Sequence, residues 1–276
     1  MASKTKDSLL KHTSLKHTTN DTKLPVIALI GMPNSGKTTL FNALTGSNFK
    51  TSNYPGATVE YSIGRLVSGY GFGSYVMDSP GIISLNPSSP DEDVTISGLF
   101  NHPKFGLPDV VIVSCDCTQL SRQLFLVKQV IDTGFKTIVA LTMNDLLDKK
   151  ELYVSEEKLG KILNAPVIKI NSKKKEGLED LIRKAEELYV DDSIKDYKTT
   201  IRKPSHPAEE DIAKLYDYTE ATEREVLESK DRNLDINEVN RKAFRSLSRT
   251  PDLNSMKLDR VFLHPIWGIL IFVVSM

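Results

Sequence analysis

The chain has 276 residues, of which 39% are hydrophobic, and its 36 basic side chains balance 36 acidic ones. This length allows one large and one small domain, and the zero net charge gives no general attraction to nucleic acid or to an anionic membrane. Two cysteines, Cys115 and Cys117, are too few for a disulfide framework. We expect buried, reduced thiols, because the neighbouring sequence lacks the further ligands that a Cys-x-Cys metal site needs.

Three regions differ in composition along the chain. Residues 1–23 are polar and lysine-rich without the apolar core of a secretion signal, which predicts a disordered tail. Between residues 24 and 190, short apolar runs alternate with helical stretches. This pattern predicts an α/β domain in which helices flank a six-stranded, mostly parallel sheet, and the two motifs described next indicate that its fold is the P-loop small-GTPase fold. The predicted strands are residues 26–30, 59–63 (an edge strand), 74–77, 110–113, 137–141 and 167–170.

A phosphate-loop motif follows the first predicted strand. The segment Gly31-Met-Pro-Asn-Ser-Gly-Lys37-Thr38 matches G-x-x-x-x-G-K-[ST] between a strand and a helix. Glycines let backbone N–H groups curl around phosphate oxygens, a lysine neutralises β/γ charge, and the threonine hydroxyl binds Mg²⁺. The alternative is a glycine-rich turn that binds nothing. The predicted nucleotide contacts here are Gly31, Asn34, Ser35, Gly36, Lys37, Thr38 and Thr39.

A second motif, Asp78-Ser-Pro-Gly81, follows the strand predicted at 74–77. Its carboxylate can hold Mg²⁺ and the Gly81 N–H can reach a γ-phosphate. Thr58, in the intervening loop, is a further candidate Mg²⁺ ligand, although an ordinary threonine at the start of a strand is the alternative. The predicted Mg²⁺ ligands are therefore Thr38, Thr58 and Asp78.

The base-recognition segment departs from the usual N-K-x-D of this fold. It reads Thr142-Met-Asn144-Asp145, so the aspartate that accepts guanine hydrogen bonds is kept and the leading asparagine is not. Loss of a bracing asparagine predicts broader nucleotide selection, with ATP competing better than usual. A last base-contacting loop is predicted at Asn171, Ser172 and Lys173.

The sequence after residue 190 becomes charged, and Pro204 and Pro207 mark a linker. Apolar spacing predicts helices at 211–230 and 236–247, and so a small all-α domain over 191–257. Residues 258–276 contain no charge after Arg260. We expect the start of a truncated transmembrane helix there, with a buried helix of a soluble protein as the alternative.

Taken together, these motifs resemble the FeoB family of bacterial ferrous-iron transporters. The resemblance is carried by Pro33-Asn34-Ser35, by residues 53–60 (the first switch), by residues 78–85 (the second switch) and by residues 257–268. It implies a Mg²⁺-dependent GTPase domain that cycles between GTP and GDP, a helical domain that slows GDP release, and a membrane domain, at the cytoplasmic face of the bacterial cell membrane. It also implies a small cytoplasmic accessory protein and a homo-oligomer as partners, and no nucleic acid.

The resemblance also implies a K⁺ site formed by Asn34 and the carbonyls of Ser52 and Tyr54. The catalytic residues it implies are Lys37, Asn34 and Thr58, since Ile82 cannot orient water as a glutamine would. Three departures stand out: Thr142 replaces asparagine, Ser52 and Tyr54 replace the common glycine and tryptophan, and residues 194–254 match loosely.

Two other functions fit parts of the pattern. One is a nucleotide-gated binding module that uses several nucleoside triphosphates and hydrolyses them too slowly to drive anything. The other is a soluble RNA-associated GTPase, but that class predicts a basic C-terminal domain, whereas this chain is neutral and ends apolar.

Overall fold

The computed structural model describes residues 24–191, 197–204 and 208–230. The strands are β1 (Val26–Gly31), β2 (Phe49–Asn53), β3 (Glu60–Arg65), β4 (Tyr75–Asp78), β5 (Val110–Asp116), β6 (Thr137–Thr142), β7 (Leu152–Val154), β8 (Val167–Lys169) and β9 (Leu227–Ser229). The helices are α1 (Lys37–Thr45), α2 (Pro90–Phe100), α3 (Leu120–Asp132), α4 (Asn144–Asp148), α5 (Glu156–Leu163), α6 (Leu178–Val190), α7 (Tyr197–Thr200) and α8 (Glu209–Val226).

The main sheet has the order β2-β3-β4-β1-β5-β6-β8. Its strands run parallel from β4 to β8, whereas β3 is antiparallel to both of its neighbours. The predicted class, a mostly parallel α/β sheet with flanking helices, is confirmed. Parallel strands need crossover connections, and here helices supply most of them.

The predicted number of six strands is wrong, because β2 adds a seventh. This strand is polar and mostly exposed, and backbone pairing with β3 holds it without an alternating apolar pattern. The strand predicted at the edge, residues 59–63, therefore lies inside the sheet as part of β3.

The core consists of two layers, one on each face of the sheet. On one face, Ile27 and Leu29 of β1 pack in a cluster with Leu40 and Phe41 of α1. On the other face, Ile30 belongs to the cluster that contains residues of α2 and α3. The central strands β1 and β5 are buried along their whole length, which explains their continuous apolar sequences.

The described residues beyond α6 pack against the α/β unit. The Tyr197 hydroxyl lies 2.7 Å from the Pro108 carbonyl oxygen and 2.8 Å from that of Asp109. Helix α8 packs on α3 and α5, and Phe125 and Tyr216 stack with ring centroids 4.8 Å apart. The helix predicted at 211–230 is present, but it ends at Val226 and the next three residues form β9.

Strand β9 pairs antiparallel with β7 in a separate two-stranded sheet. The pairing explains the early end of α8, because residues in a ladder cannot continue a helix. Across the described ranges, none of the helices has the length and apolarity that a membrane crossing requires. The predicted tail at 1–23, the helix at 236–247 and the apolar segment 258–276 lie outside the described residues, and the domain boundaries stay predictions.

Candidate functional site

The phosphate-loop motif lies where the sequence predicts it, between β1 and α1. Asn34 and Gly36 have φ angles of 65° and 84°, so the loop curls through the left-handed region. Asparagine is one of the few non-glycine residues that adopts this conformation easily. A Cβ at Gly31 would lie 2.2 Å from the Ser114 Oγ, so the close approach of β1 to β5 requires glycine there.

A buried ion pair joins the two motifs. The Lys37 ammonium group contacts the Asp78 carboxylate and donates to the Ser79 carbonyl oxygen. The Thr38 hydroxyl donates to the other carboxylate oxygen of Asp78 at 3.2 Å. Residues forty positions apart in sequence thus meet because β1 and β4 are parallel neighbours. A hydroxyl beside a carboxylate is a donor set that fits Mg²⁺, a hard cation that binds oxygen ligands.

The second switch touches the phosphate loop directly. The Ile82 N–H donates to the Gly31 carbonyl oxygen at 3.1 Å. A Cβ at Gly81 would lie 2.8 Å from the Pro33 nitrogen, so glycine is required by this approach as well. Ile82 itself is buried at 1% exposure. The predicted Gly81 contact with a γ-phosphate is therefore compatible with the position of its backbone beside the loop.

Two hydroxyl groups brace the phosphate loop from neighbouring strands. The Ser35 Oγ lies 2.5 Å from the Ser114 Oγ at the end of β5. The Thr142 hydroxyl lies 2.7 Å from the Ser35 carbonyl oxygen and 3.2 Å from that of Cys115. Its single proton can serve one acceptor at a time, and the shorter distance favours Ser35. The expectation that Thr142 leaves the loop without a brace is not met, because its hydroxyl forms one.

The predicted base-recognition segments lie at the carboxyl ends of β6 and β8. Asp145 is exposed in the first turn of α4. The Asn144 side-chain amide donates to the carbonyl oxygens of Leu141 at 2.8 Å and Ile170 at 3.3 Å. Asn144 thus ties the two predicted base loops together and leaves the Asp145 carboxylate at the surface. In the second loop, Asn171, Ser172 and Lys173 are half-buried to exposed.

The structure does not bring the first switch to the phosphate loop. Thr58 is exposed in the turn between β2 and β3, and no hydrogen bond between it and the phosphate loop is present among the described residues. Ser52 pairs in register with Tyr61, and the Tyr54 carbonyl oxygen accepts from the Ala57 N–H at 3.0 Å. The predicted Mg²⁺ ligand and both predicted K⁺ carbonyls are therefore held in a β-hairpin.

The Tyr54 side chain, directly after β2, is buried among aromatic rings. It is 3% exposed, and its ring centroid lies 4.8 Å from that of Tyr61 and 5.6 Å from that of His102. A Cβ at Gly98 of α2 would lie 2.2 Å from the Tyr54 ring, so only glycine leaves room for it. Burial first, and then the nearby Tyr61 and Asp78, raise the pKa of Tyr54 to about 12.

Sequence reasoning missed Ser114, the hydroxyl that meets Ser35. A signal was available, because Ser114 is a polar residue at the end of an otherwise apolar strand, on the edge where the phosphate loop must lie. The two cysteines are buried as expected, and burial raises the pKa of the Cys115 thiol. Within the described ranges, no group of three or more histidine, cysteine and carboxylate side chains is arranged to hold a metal ion.

Comparison with known proteins gives consistent matches. The family model described as Ferrous iron transport protein B matches residues 25–185. An Fe(2+) transporter FeoB of Leptospira biflexa is 38% identical over 155 residues, which are 56% of this chain and 22% of that relative. The chain spans about a fifth of the length of the curated relatives it matches.

Solved structures with similar folds include cytosolic domains of the T. maritima FeoB iron transporter. One in a GDP form has a TM-score of 0.64 and 27% identity, covering 75% of this chain and 99% of that chain. Another in a GMPPNP form has a TM-score of 0.63 and 28% identity, covering 75% of this chain and 100% of that chain.

The Thr142 brace can be tested by a nearly isosteric substitution. Thr142→Val should lower the free energy of unfolding by about 1–3 kcal/mol, because the buried Ser35 carbonyl oxygen loses its donor. Thr142→Ser keeps the hydroxyl and should cost less. Urea unfolding of the two variants and the wild type measures the difference. Equal stability of the valine and serine variants would show that the hydroxyl does not brace the loop.

Proposed function

This chain belongs to the FeoB family of ferrous iron transport proteins, and we propose that it binds and hydrolyses GTP as the regulatory domain of such a transporter. The observation that carries the proposal is the contact of the phosphate loop with Asp78, which puts a lysine, a hydroxyl and a carboxylate at one edge of the sheet. The GDP and GMPPNP forms of the T. maritima domain support the same nucleotide class.

Each residue of the site has a role in this proposal. Backbone N–H groups of the loop between Gly31 and Thr38, apart from Pro33, which has none, would hold the phosphates, and Lys37 would neutralise charge on them. The Thr38 hydroxyl and the Asp78 carboxylate hold Mg²⁺, which would offset the charge of the phosphate oxygens when bound. Lys37 must then exchange its contact with Asp78 for the phosphates, a change that the flexible lysine side chain allows.

We further propose that the first switch rearranges to complete the site. Thr58 must leave the exposed turn to reach Mg²⁺, and the carbonyls of Ser52 and Tyr54 must leave the hairpin to face Asn34. The exposed Asn34 amide fits one ligand of a K⁺ site at the phosphate loop, while the two carbonyls do not fit it in the hairpin conformation. K⁺ bound there would offset charge between the β- and γ-phosphates, as an arginine finger does elsewhere.

The rest of the transporter enters as a proposal from the relatives. They are named Fe(2+) transporters and are about five times as long as the matched segment. We propose that this domain acts at the cytoplasmic face of a bacterial cell membrane, with a membrane domain that carries ferrous iron as cargo. A small accessory protein and further copies of the chain are proposed partners.

Guanine selection is proposed to depend on Asp145, because its carboxylate is exposed and its helix is fixed by Asn144. The Thr142 hydroxyl braces the phosphate loop, which removes the physical reason for expecting strong ATP competition. We therefore propose ordinary guanine selectivity rather than relaxed selectivity.

A potassium test addresses the reaction. GTP turnover by the wild type should require Mg²⁺ and should be faster in K⁺ than in Na⁺, and loss of the Asn34 amide should lower turnover in K⁺ by about a hundredfold. Asn34→Gly is the preferred variant, because alanine is strained at φ 65° and glycine is not. Asn34→Ala serves as the strained control. Wild-type turnover that does not respond to K⁺ would refute the K⁺ mechanism, and turnover too slow to detect with either cation would favour a nucleotide-gated binding module.

A base-exchange test addresses selectivity. Asp145→Asn should weaken GDP binding by about tenfold to a hundredfold, because a charged acceptor for the guanine N–H groups is lost. The same variant should gain affinity for XDP, whose base carries a carbonyl where guanine has an amino group. Thr142→Asn should leave the ATP-to-GTP affinity ratio unchanged. Competition against a fluorescent GDP measures the affinities for GDP, XDP, ATP and GTP. If the ATP-to-GTP affinity ratio of Thr142→Asn is lower than that of the wild type, the hypothesis of relaxed selectivity is restored.

The segment after the α/β unit holds the helix that carries Asp145. The Lys230 N–H donates to the Glu151 carbonyl oxygen at 2.8 Å, and the Lys230 ammonium group pairs with Asp148 at 2.8 Å. Asp148 is the last residue of α4, so β9 fixes the end of the base-recognition helix through β7. We propose that this pairing is how the downstream segment slows GDP release.

The role of β9 can be tested at Glu228, whose backbone faces Tyr153 in the ladder. Glu228→Pro removes that ladder hydrogen bond and should speed GDP release about fivefold, equivalent to about 1 kcal/mol. Glu228→Ala removes the side-chain contacts with Lys158 and Tyr153 but keeps the N–H, and should have a smaller effect. Stopped-flow release of a fluorescent GDP measures both, and wild-type kinetics in the proline variant would refute the role of β9.

A further inference from the structure

The outer edge of β2 is open. Strand β2 ends the main sheet, and no other strand of residues 24–191, 197–204 and 208–230 pairs with its outer side. The Tyr54 N–H donates to the Val59 carbonyl oxygen, so Tyr54, Ser52 and Lys50 form the hydrogen-bonded pairs with β3. Alternation along an antiparallel strand then points the N–H and C=O groups of Thr51 away from β3. These groups are free to pair with an added strand.

A groove of about 800 Å³ is lined by residues of β2, β3 and β4, so it extends from this edge strand across its two neighbours. Its floor contains the partly buried side chains of Ile63, Tyr75 and Phe105, and its rim contains Lys50, Arg65 and Lys104. The groove therefore offers apolar contact at its centre and positive charge at its margin. This is the general composition of a protein-docking surface, an apolar centre within a polar rim.

The three rim cations have no acidic partners in the described part of the chain. The Arg65 guanidinium carbon lies 5.8 Å from the Tyr75 ring centroid, and the Lys104 ammonium lies 5.2 Å from that of Phe105. None of the residues that line the groove is acidic. Because the whole chain has no net charge, this local excess of positive charge is specific to the surface.

We propose that β2 and this groove bind an extended, acidic segment of a partner protein by strand addition. The partner's backbone would pair with the outward groups of Thr51, its alternate apolar side chains would enter the groove, and its carboxylates would meet Lys50, Arg65 and Lys104. The chain's own residues 1–23 are unsuited to this role, because they carry five lysines against two aspartates. The open edge of β2 favours an extended segment, and the positive rim of the groove favours acidic side chains on it.

A model peptide tests the proposal on the full chain. The probe is a fluorescein-labelled nine-residue peptide that alternates glutamate with valine, and the control peptide has lysine in place of glutamate. Fluorescence anisotropy should show binding of the acidic peptide only. Binding should weaken as salt rises from about 0.05 M to about 0.5 M, because the Debye length shortens and screens the rim charges.

Two matched pairs of variants separate charge from strand addition. Lys104→Glu should weaken binding about fivefold, while Lys149→Glu, the same charge change at an exposed site beyond α4, should not. Thr51→Pro removes an outward N–H without removing a bond to β3, and should weaken binding at least about fivefold. Thr51→Ala loses the same hydroxyl contact with Ser62 but keeps the N–H, and should bind like the wild type.

If this surface binds anionic lipid or a second copy of the chain instead, the experiments give different results. Equal binding of the two peptides, or equal effects of Thr51→Pro and Thr51→Ala, would overturn strand addition by an acidic partner. Binding to anionic lipid vesicles that Thr51→Pro leaves unchanged, with no peptide binding, would assign the surface to lipid. A dimer mass in light scattering that Thr51→Pro abolishes, again without peptide binding, would assign it to a second copy. Circular dichroism of each variant checks that it is folded.

Discussion

The buried contact between Lys37 and Asp78 is the interaction on which the rest of the site depends. Both residues are 8% exposed, and burial of either charge alone would carry a large desolvation cost. The contact requires β1 and β4 to be parallel neighbours in the observed register, with Leu29 opposite Asp78. It also requires Gly31 and Gly81, because side chains at either position would separate the phosphate loop from β5 or from the second switch. The Lys37–Asp78 contact therefore depends on the order of the strands as well as on the local geometry of the site.

The parts of the fold that could be predicted from the sequence are those set by local pattern. The apolar run before Gly31, the loop spacing and the position of Asp78 after a strand all follow from neighbouring residues. Strand β2 could not be predicted in this way, because its polar sequence has no alternation and its partner is β3. Likewise Leu227–Ser229 continues a helical pattern, and only β7, far away in the chain, makes it a strand.

The candidate site, like the fold, has parts that local sequence pattern predicts and parts that it does not. The two motifs predicted that Lys37 and Thr38 lie near Asp78, which they do. The brace from Thr142 to Ser35 joins groups 107 positions apart, so no local sequence pattern predicts it. The asparagine that usually occupies this position suggested a loss of function at the base site. The shorter Thr142 side chain nevertheless reaches a carbonyl oxygen of the phosphate loop, a contact that residue identity alone does not reveal.

The first switch is held by opposing contributions of similar size. Burial of the Tyr54 ring favours the hairpin by about 2 kcal/mol, whereas its buried hydroxyl has no hydrogen-bond partner among the residues that the structure describes, at a cost of about 1–3 kcal/mol. These contributions nearly cancel, so the hairpin is held largely by its ladder with β3. In the proposed mechanism, movement of Thr58 toward Mg²⁺ therefore has a modest free-energy cost, and any partner that pairs with β2 would stabilise the hairpin further. By reciprocity, ligands that draw Thr58 toward Asp78 and partners that bind β2 must oppose each other.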